Sequence, residues 1–83
     1  MNIHLRYFAS IREALGVGQE LWQTQAQTVA QLRQELVGRG GAYADVLGQH
    51  RALRAALNQD LCEGNAVLQD GCEVAFFPPV TGG

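Results

Sequence analysis

Lysine is absent from the chain, and all six of its basic residues are arginines. Eight acidic residues bring the formal net charge to −2. Because proteins that bind nucleic acid neutralise phosphates with a basic surface, this balance of charge argues against a nucleic-acid partner. Without lysine, the chain also cannot be linked to further copies of itself through side-chain isopeptide bonds.

Cysteine and histidine are scarce as well. Cys62 and Cys72 are the two cysteines, and they do not make a disulfide framework or a CxxC motif. We therefore favour buried or half-buried thiols over a disulfide or a redox sensor. His4 and His50 lie far apart in the sequence. They lack the spacing of a metal-binding motif, so no metal site is expected.

Long apolar stretches are missing too. No segment approaches the ~20 apolar residues of a membrane-spanning helix. Residues 1–6 mix polar and apolar side chains, unlike the start of a signal peptide. We expect a cytoplasmic protein without a membrane partner. A chain of 83 residues, 47% of them hydrophobic, is typical of one globular domain.

Alternating residues predict a strand near each end of the chain. Ile3, Leu5 and Tyr7 would share the buried face of a strand over residues 2–8, and Val74 and Phe76 that of a strand over 72–77. Weaker strands are predicted over residues 19–24, 53–58 and 61–62. The first two strands should pair antiparallel. The first and last strands are the most apolar, which favours their parallel pairing at the sheet centre.

Two capping-box patterns predict helices. Thr28 and Gln31 would cap a main helix that ends at the glycines of residues 38–41, where a positive φ is favoured. Its apolar stripe consists of Val29, Leu32, Leu36 and Val37. Ser10 and Glu13 would cap a short helix that stops at Gly16, and residues 42–49 are weakly helical. The order of elements predicts an α+β fold, a mixed sheet packed by one main helix.

Patterns for catalysis or nucleotide binding are weak. Gly16-x-Gly18 lacks a third glycine and does not follow a strand, so an ordinary turn is favoured. The glycines of residues 38–41 follow a helix C-terminus, which is the wrong end for binding a phosphate. The glutamates are scattered, and we expect them on a solvated face. Nothing in the chain is typical of an ATP site.

The last six residues are the most distinctive segment: Pro78, Pro79, Val80, Thr81, Gly82 and Gly83. The two prolines cannot continue a sheet ladder and favour an extended exit. The segment has no charged side chain and reaches roughly 20 Å when extended. Because glycine lacks Cβ, another protein's active site could close on the terminal carboxylate. We divide the chain into a folded domain, residues 1–77, and a tail, residues 78–83, expected to be disordered from Val80 onward before it binds a partner.

Phe76 and Phe77 should face opposite sides of the last strand. Phe76 shares a face with Val74 and is assigned to the core. Phe77 would then point outward beside the tail, which suits an anchor for a partner protein. The alternative is that a helix or loop covers Phe77. Leu61, just after a turn, is a second candidate for the same patch.

The segment from Asp70 to Gly83 resembles the small subunit of molybdopterin synthase, a ubiquitin-like sulfur carrier. The motif Phe-Phe-Pro-Pro-Val-x-Gly-Gly is specific, whereas Gly-Gly alone is shared by many ubiquitin-like proteins. The resemblance extends to residues 3–13, to the helix from Val29 and to residues 57–59. One departure is Cys72, at a position where the family often has an acidic residue after the Asp-Gly turn.

The resemblance implies a β-grasp fold and a carrier role for Gly83. A ubiquitin-activating-like adenylyltransferase would use ATP to adenylate Gly83, and a sulfur donor protein would supply sulfur for a thiocarboxylate. The large synthase subunit would then transfer that sulfur to cyclic pyranopterin monophosphate within a heterotetramer. Phe77 and Leu61 would dock the domain, and no cofactor would be bound by this chain. The tail residues Pro78, Pro79, Val80 and Thr81 would thread the channel, and Gly82 would give backbone access.

Three other functions remain open from the sequence. The chain could be a protein modifier conjugated through Gly83 to lysines of other proteins. It could be the sulfur carrier of the thiamine pathway, although the Phe-Phe-Pro-Pro run does not support that assignment. It could also be an interaction domain whose tail carries nothing.

Overall fold

The computed structural model describes residues 1–79. Within that range the elements follow one another as β1 (Asn2–Tyr7), α1 (Ala9–Leu15), β2 (Gln19–Gln23), α2 (Val29–Val37), α3 (Gly41–Leu47), β3 (Arg54–Leu57), β4 (Asp60–Cys62) and β5 (Glu73–Phe77). The predicted elements are all present, with ends shifted by one or two residues. None of the described helices is long and apolar enough to cross a membrane.

The strands form one mixed sheet in the order β2-β1-β5-β3-β4. β1 and β5 run parallel at its centre, with Leu5 beside Val74 and Tyr7 beside Phe76. The remaining neighbours are antiparallel, including β1 with β2. The predicted central parallel pair is therefore confirmed. It places the first and last strands, the most apolar of the chain, where neighbouring strands protect both of their edges.

The core lies between one face of this sheet and the three helices. Ile3, Leu5 and Tyr7 from β1 and Val74 and Phe76 from β5 are all buried there, as their alternation predicts. Each such side chain contributes roughly 1.5–3 kcal/mol relative to exposure. From the helices, the same core receives Ile11, Val29, Leu32, Leu36, Val46 and Leu47. The opposite side of the sheet carries no helix, and we call it the outer face.

Helix α2 begins as predicted. The Thr28 hydroxyl accepts a hydrogen bond from the Gln31 amide at 3.2 Å, while the Gln31 side chain accepts one from the Gln27 amide at 2.8 Å. The helix ends at Val37, but Gly38 keeps a right-handed φ of −62°. The prediction that Gly38 supplies a positive φ is therefore wrong, because the left-handed turn comes two residues later, at Gly40 (φ +76°).

The capping box predicted at Ser10 is wrong. Helix α1 begins at Ala9, two residues after the end of β1, and Phe8 between them is the N-cap without a side-chain cap. Ser10 thus lies inside the first turn instead of before it. The predicted end is confirmed, since Gly16 has φ +77° and its amide donates to the Arg12 carbonyl at 2.9 Å.

A two-residue turn joins β3 to β4. Asn58 and Gln59 have φ values of +50° and +73°, and Leu57 is paired with Asp60. Two consecutive positive φ values match the right-handed twist of the strands in a tight hairpin. The turn predicted here is confirmed, and it sets Leu61 on the outer face opposite Ala56.

Glu20 fastens the edge strand β2 to the helices. Its Oε2 accepts hydrogen bonds from the hydroxyls of Tyr7 and Tyr43, both at 2.9 Å. Arg39 Nη1 donates to both carboxylate oxygens at 3.0 Å, and the Arg39 guanidinium lies over the rings of Trp22 and Tyr43 at 4.5 and 3.8 Å. Glu20 does not lie on a solvated face, so that part of the prediction is wrong.

Burial by itself would raise the pKa of Glu20, but the hydrogen bonds from Tyr43, Tyr7 and Arg39 outweigh it and hold that pKa below its ordinary value. The same contacts act in the opposite direction on the phenols. Burial, together with the hydrogen bond to Glu20, raises the pKa of Tyr7 and that of Tyr43. The network is therefore made by an ionised carboxylate and two neutral phenols at neutral pH.

Arg33 has a structural role that its helical position did not predict. Its Nε donates to the Leu47 carbonyl at 2.6 Å, and its Nη2 donates to the carbonyls of Gly48 and Arg51 at 2.6 and 2.9 Å. Leu47 is the last residue of α3 and the other two residues follow it, so these carbonyls have no partner within that helix. Arg33, which lies outside the apolar stripe of α2, is thus half-buried between α2 and the end of α3.

Candidate functional site

The exit of the chain from the sheet is rigidly supported. β5 lies at the centre of the sheet, hydrogen-bonded to β1 on one side and to β3 on the other. It ends at Phe77, and Pro78 and Pro79 follow without backbone donors. A segment that leaves a central strand starts from a fixed point and a fixed direction, which is what presentation of a reactive terminus requires.

The two prolines differ in their surroundings. Pro78 is half-buried and lines a cavity of about 220 Å³ together with Ile11 of α1 and Leu53, which precedes β3. Pro79 is exposed. The chain therefore leaves the packed part of the protein between Pro78 and Pro79. The predictions for Val80, Thr81, Gly82 and Gly83, including the disorder expected from Val80 onward, concern residues outside the described range.

Phe77 lies on the outer face. Its register partner on β3 is Arg54, and its neighbour Phe76 is buried in the core at 1% exposure. Phe77 itself is half-buried, and none of the three described helices covers that side of the sheet. The structure thus places Phe77 where an anchor for a partner would need it, immediately before the prolines.

Leu61 lies on the same face as Phe77. Across the strands, Leu61 is paired with Ala56, and Ala56 in turn with Ala75, two residues before Phe77. Leu61 is 65% exposed, and it is informative because it shares a face with Phe77 and so contributes to an exposed apolar patch. The two anchors proposed from sequence are therefore brought to one surface by β4, β3 and β5.

Three residues of this surface escaped the sequence analysis. Ala56 and Ala75 are 8% and 6% exposed although they face outward, so they form a floor beneath the larger side chains. Phe8 is 40% exposed, and its amide donates to the Phe76 carbonyl at 3.3 Å, next to Phe77. Strand alternation could have assigned each of them to a face. Only the strand order could show that they are neighbours.

These residues together form the outer patch: Phe8, Ala56, Leu61, Ala75 and Phe77. It is an apolar surface with a shallow alanine floor and larger side chains on its borders. Apolar cores with aromatic anchors are typical of surfaces that bind another protein. The patch borders the exit of the tail, so one partner could contact both.

The cysteines do not add a reactive group. Cys72 is buried, and Cys62 is half-buried beside a cavity of about 290 Å³ between α2 and β3. Burial and the nearby Glu63 raise the pKa of the Cys62 thiol. A thiol with a raised pKa stays protonated at neutral pH and is a weak nucleophile. Within residues 1–79, no group of three histidines, cysteines or carboxylates is placed to hold a metal ion.

A family model described as the ThiS family matches residues 5–83. The chain belongs to the ThiS family. The molybdopterin synthase sulfur carrier subunit of Escherichia coli (strain K12) is 41% identical to it over 81 residues, which cover 98% of this chain and 99% of the relative. The resemblance to the small subunit of molybdopterin synthase that the sequence suggested is thereby confirmed.

Solved structures of similar proteins have the same fold as this ThiS-family chain. SAMP1 of Haloferax volcanii superposes with a TM-score of 0.79 at 25% identity, and both chains are covered completely. Subunits 1 and 2 of the molybdopterin-converting factor of Helicobacter pylori were solved as a complex. The matching chain there gives a TM-score of 0.70 at 28% identity, again with complete coverage of both chains. The β-grasp, ubiquitin-like fold implied by the resemblance is confirmed.

Proposed function

We propose that the chain is the sulfur-carrying subunit of molybdopterin synthase and that Gly83 is the carrier position. The observation that carries the proposal is the likeness to a curated sulfur carrier subunit over the whole of both chains. The central position of β5 supports it, because the tail extends from the most firmly held strand of the sheet.

The chemistry requires an external activating enzyme. A carboxylate is a poor electrophile, so its oxygen would first attack the α-phosphorus of ATP in an adenylyltransferase, releasing pyrophosphate. A sulfur donor protein would then supply a nucleophile at the sulfide oxidation level, which displaces AMP from the acyl carbon and leaves a thiocarboxylate at Gly83. In the large subunit this sulfur would form a bond to a carbon of cyclic pyranopterin monophosphate, and water would cleave the acyl–sulfur bond and return Gly83 as a carboxylate. ATP therefore belongs to the activating partner in this proposal.

We propose that different residues of the chain have different roles in sulfur transfer. Phe77 and Leu61 of the outer patch would dock the domain on the large subunit. Pro78 and Pro79 would direct the segment, Val80 and Thr81 would thread the channel, and Gly82 would allow close backbone approach to the reacting carbon. The Helicobacter pylori neighbour, solved as a complex of two subunits, supports docking through a fold of this kind.

Intact-mass spectrometry with the activating enzyme, ATP and a sulfur donor tests the carrier role. We expect a gain equal to the replacement of one oxygen by one sulfur, and tandem spectrometry should locate it at Gly83 instead of Met1, Cys62 or Cys72. The chain without Gly83 is the matched variant and should form no molybdopterin with the large subunit. Full molybdopterin synthesis by that variant would refute the proposal.

A second function has a specific observation in its favour. SAMP1 of Haloferax volcanii, whose structure this chain resembles, is a small archaeal modifier protein. A modifier would form an isopeptide bond between Gly83 and a lysine of a target. Incubation with the activating enzyme and a lysine-containing lysate distinguishes the two functions. Remnants of this chain's C-terminus on target lysines would favour the modifier.

A further inference from the structure

Two arginines border the outer patch. Arg54 is the register partner of Phe77 on β3, and Arg6 is the register partner of Ala75 on β1. Both side chains therefore leave the sheet on the outer face, one on each side of the strand that leads into the tail. The Arg6 guanidinium also lies 5.4 Å from the centroid of the Phe8 ring.

These two arginines are weakly neutralised within the chain. Arg6 approaches the Glu73 carboxylate only to 3.7 Å, with both side chains partly exposed. Arg54 is exposed and has no carboxylate within 4.0 Å among residues 1–79. By contrast, Arg39 contacts Glu20 at 3.0 Å, and Arg33 donates to three carbonyls. The charge on this side of the molecule remains available to a partner.

The sign of that charge is opposite to that of the whole chain. The outward positions of β1, β3 and β5 near the patch carry Arg6 and Arg54 against the carboxylate of Glu73, whereas the chain has a net charge of −2. Glu63, which follows β4, lines the same cavity as Arg54 but makes no ion pair with it within 4.0 Å. An arginine beside an aromatic anchor is common in protein interfaces. Its planar guanidinium is weakly hydrated and binds carboxylates in a bidentate manner. The partner chemistry that fits this border is therefore acidic.

We propose that Arg54, with Arg6 across the patch, binds carboxylates which the large subunit carries around its contact with Phe77. This inference rests on the function proposed above, and it adds the chemical character of the partner surface. The apolar patch would supply the contact area, while the two arginines would accelerate association and select an acidic partner over other surfaces with an apolar pocket.

Association of the full-length chain with the large subunit, measured by stopped flow at low and high salt, tests the proposal. Arg54→Glu should lower the association rate about tenfold at low salt, and the loss should shrink at high salt because the charges are screened. Arg12→Glu is the matched control. It makes the same change of charge at an exposed site on α1, and its rate should stay within about twofold of the wild type.

Further variants keep the test decisive. Arg54→Lys should retain most of the salt dependence, and Arg54→Gln should give an intermediate rate if Arg54→Glu does not fold. Equal rates for the Arg54→Glu and Arg12→Glu variants, or a loss that salt does not change, would overturn this inference alone. If the wild-type chain fails to bind the large subunit at any salt concentration, the proposed function fails and this inference with it.

Discussion

Replacement of Glu20 by glutamine removes the charge at the centre of the network that holds β2 to the helices, with little change in shape. Three side chains donate to that carboxylate: Tyr7, Tyr43 and Arg39. An amide has one acceptor oxygen and a donor group in place of the second. The Glu20→Gln variant therefore cannot satisfy all three donors.

The expected loss follows from the burial of each donor. Tyr7 is 1% exposed, so its hydroxyl would have no alternative partner in water. A hydrogen bond from a phenol to a charged acceptor is worth roughly 1.5–3 kcal/mol net, and the amide oxygen of glutamine can still accept one of the two phenol bonds. The Arg39 ion pair is partly exposed and adds only several tenths of a kcal/mol. We expect the free energy of unfolding to fall by about 2 kcal/mol, which lowers Tm by roughly 10 °C in a domain of this size.

Urea unfolding monitored by Trp22 fluorescence is a direct assay, because this single tryptophan lies against Arg39 and donates to Glu35 at 2.7 Å. Glu13→Gln, at an exposed position of α1, is the matched control and should change stability by less than about 0.5 kcal/mol. Equal stabilities of the Glu20 and Glu13 variants would refute the assignment of the network.

The effect should depend on pH in a defined direction. The pKa of Glu20 is lowered in the folded state, so its contribution is complete above the ordinary carboxyl value of 4.5 and is lost as the pH falls through the folded-state pKa. The stability difference between wild type and Glu20→Gln should therefore be constant near neutral pH and shrink below 4.5. A difference that persists unchanged in acid would contradict an ionised Glu20.

Two further predictions concern the helix caps and the turn between β3 and β4, and thermal unfolding followed by circular dichroism tests both. Thr28→Ala should lower the free energy of unfolding by about 1 kcal/mol, because it removes the side-chain cap of α2. Ser10→Ala should change it by less than about 0.5 kcal/mol, because Ser10 caps no helix. Equal losses for the two variants would contradict the caps described above. Gln59→Gly should raise stability by about 0.5–1 kcal/mol, because φ at this position is +73° and glycine adopts it without strain, and a loss of stability would argue against the hairpin geometry.

The two capping-box patterns explain where sequence reasoning succeeds. Thr28 follows a loop, so it is free to take the extended backbone conformation of an N-cap. Ser10 comes three residues after β1 ends, and the chain has already turned into helix at Ala9. The same four-residue pattern therefore has different outcomes, because the end of the preceding strand decides where the helix can begin.

The contacts of two polar side chains could not be predicted from local sequence patterns. The sequence predicts a solvated face for Glu20, and Arg33 lies outside the apolar stripe of α2. Both are drawn into the interior by partners far along the chain, 23 residues away for Tyr43 with Glu20 and 14 for Leu47 with Arg33. Periodicity describes the face of one element, whereas these contacts depend on how separate elements pack.

The sequence by itself determined the strands and helices and, through the Phe-Phe-Pro-Pro-Val-x-Gly-Gly motif, the family likeness, because alternation, helical stripes and a specific motif are local in the chain. The apolar character of the first and last strands also predicted their parallel pairing, and Leu61 was proposed for the same patch as Phe77. Only the tertiary structure decided that Phe8 shares this surface with them, above a floor made by Ala56 and Ala75. Strand order and register create that surface, because they bring together residues that lie up to 69 positions apart, the separation of Phe8 from Phe77.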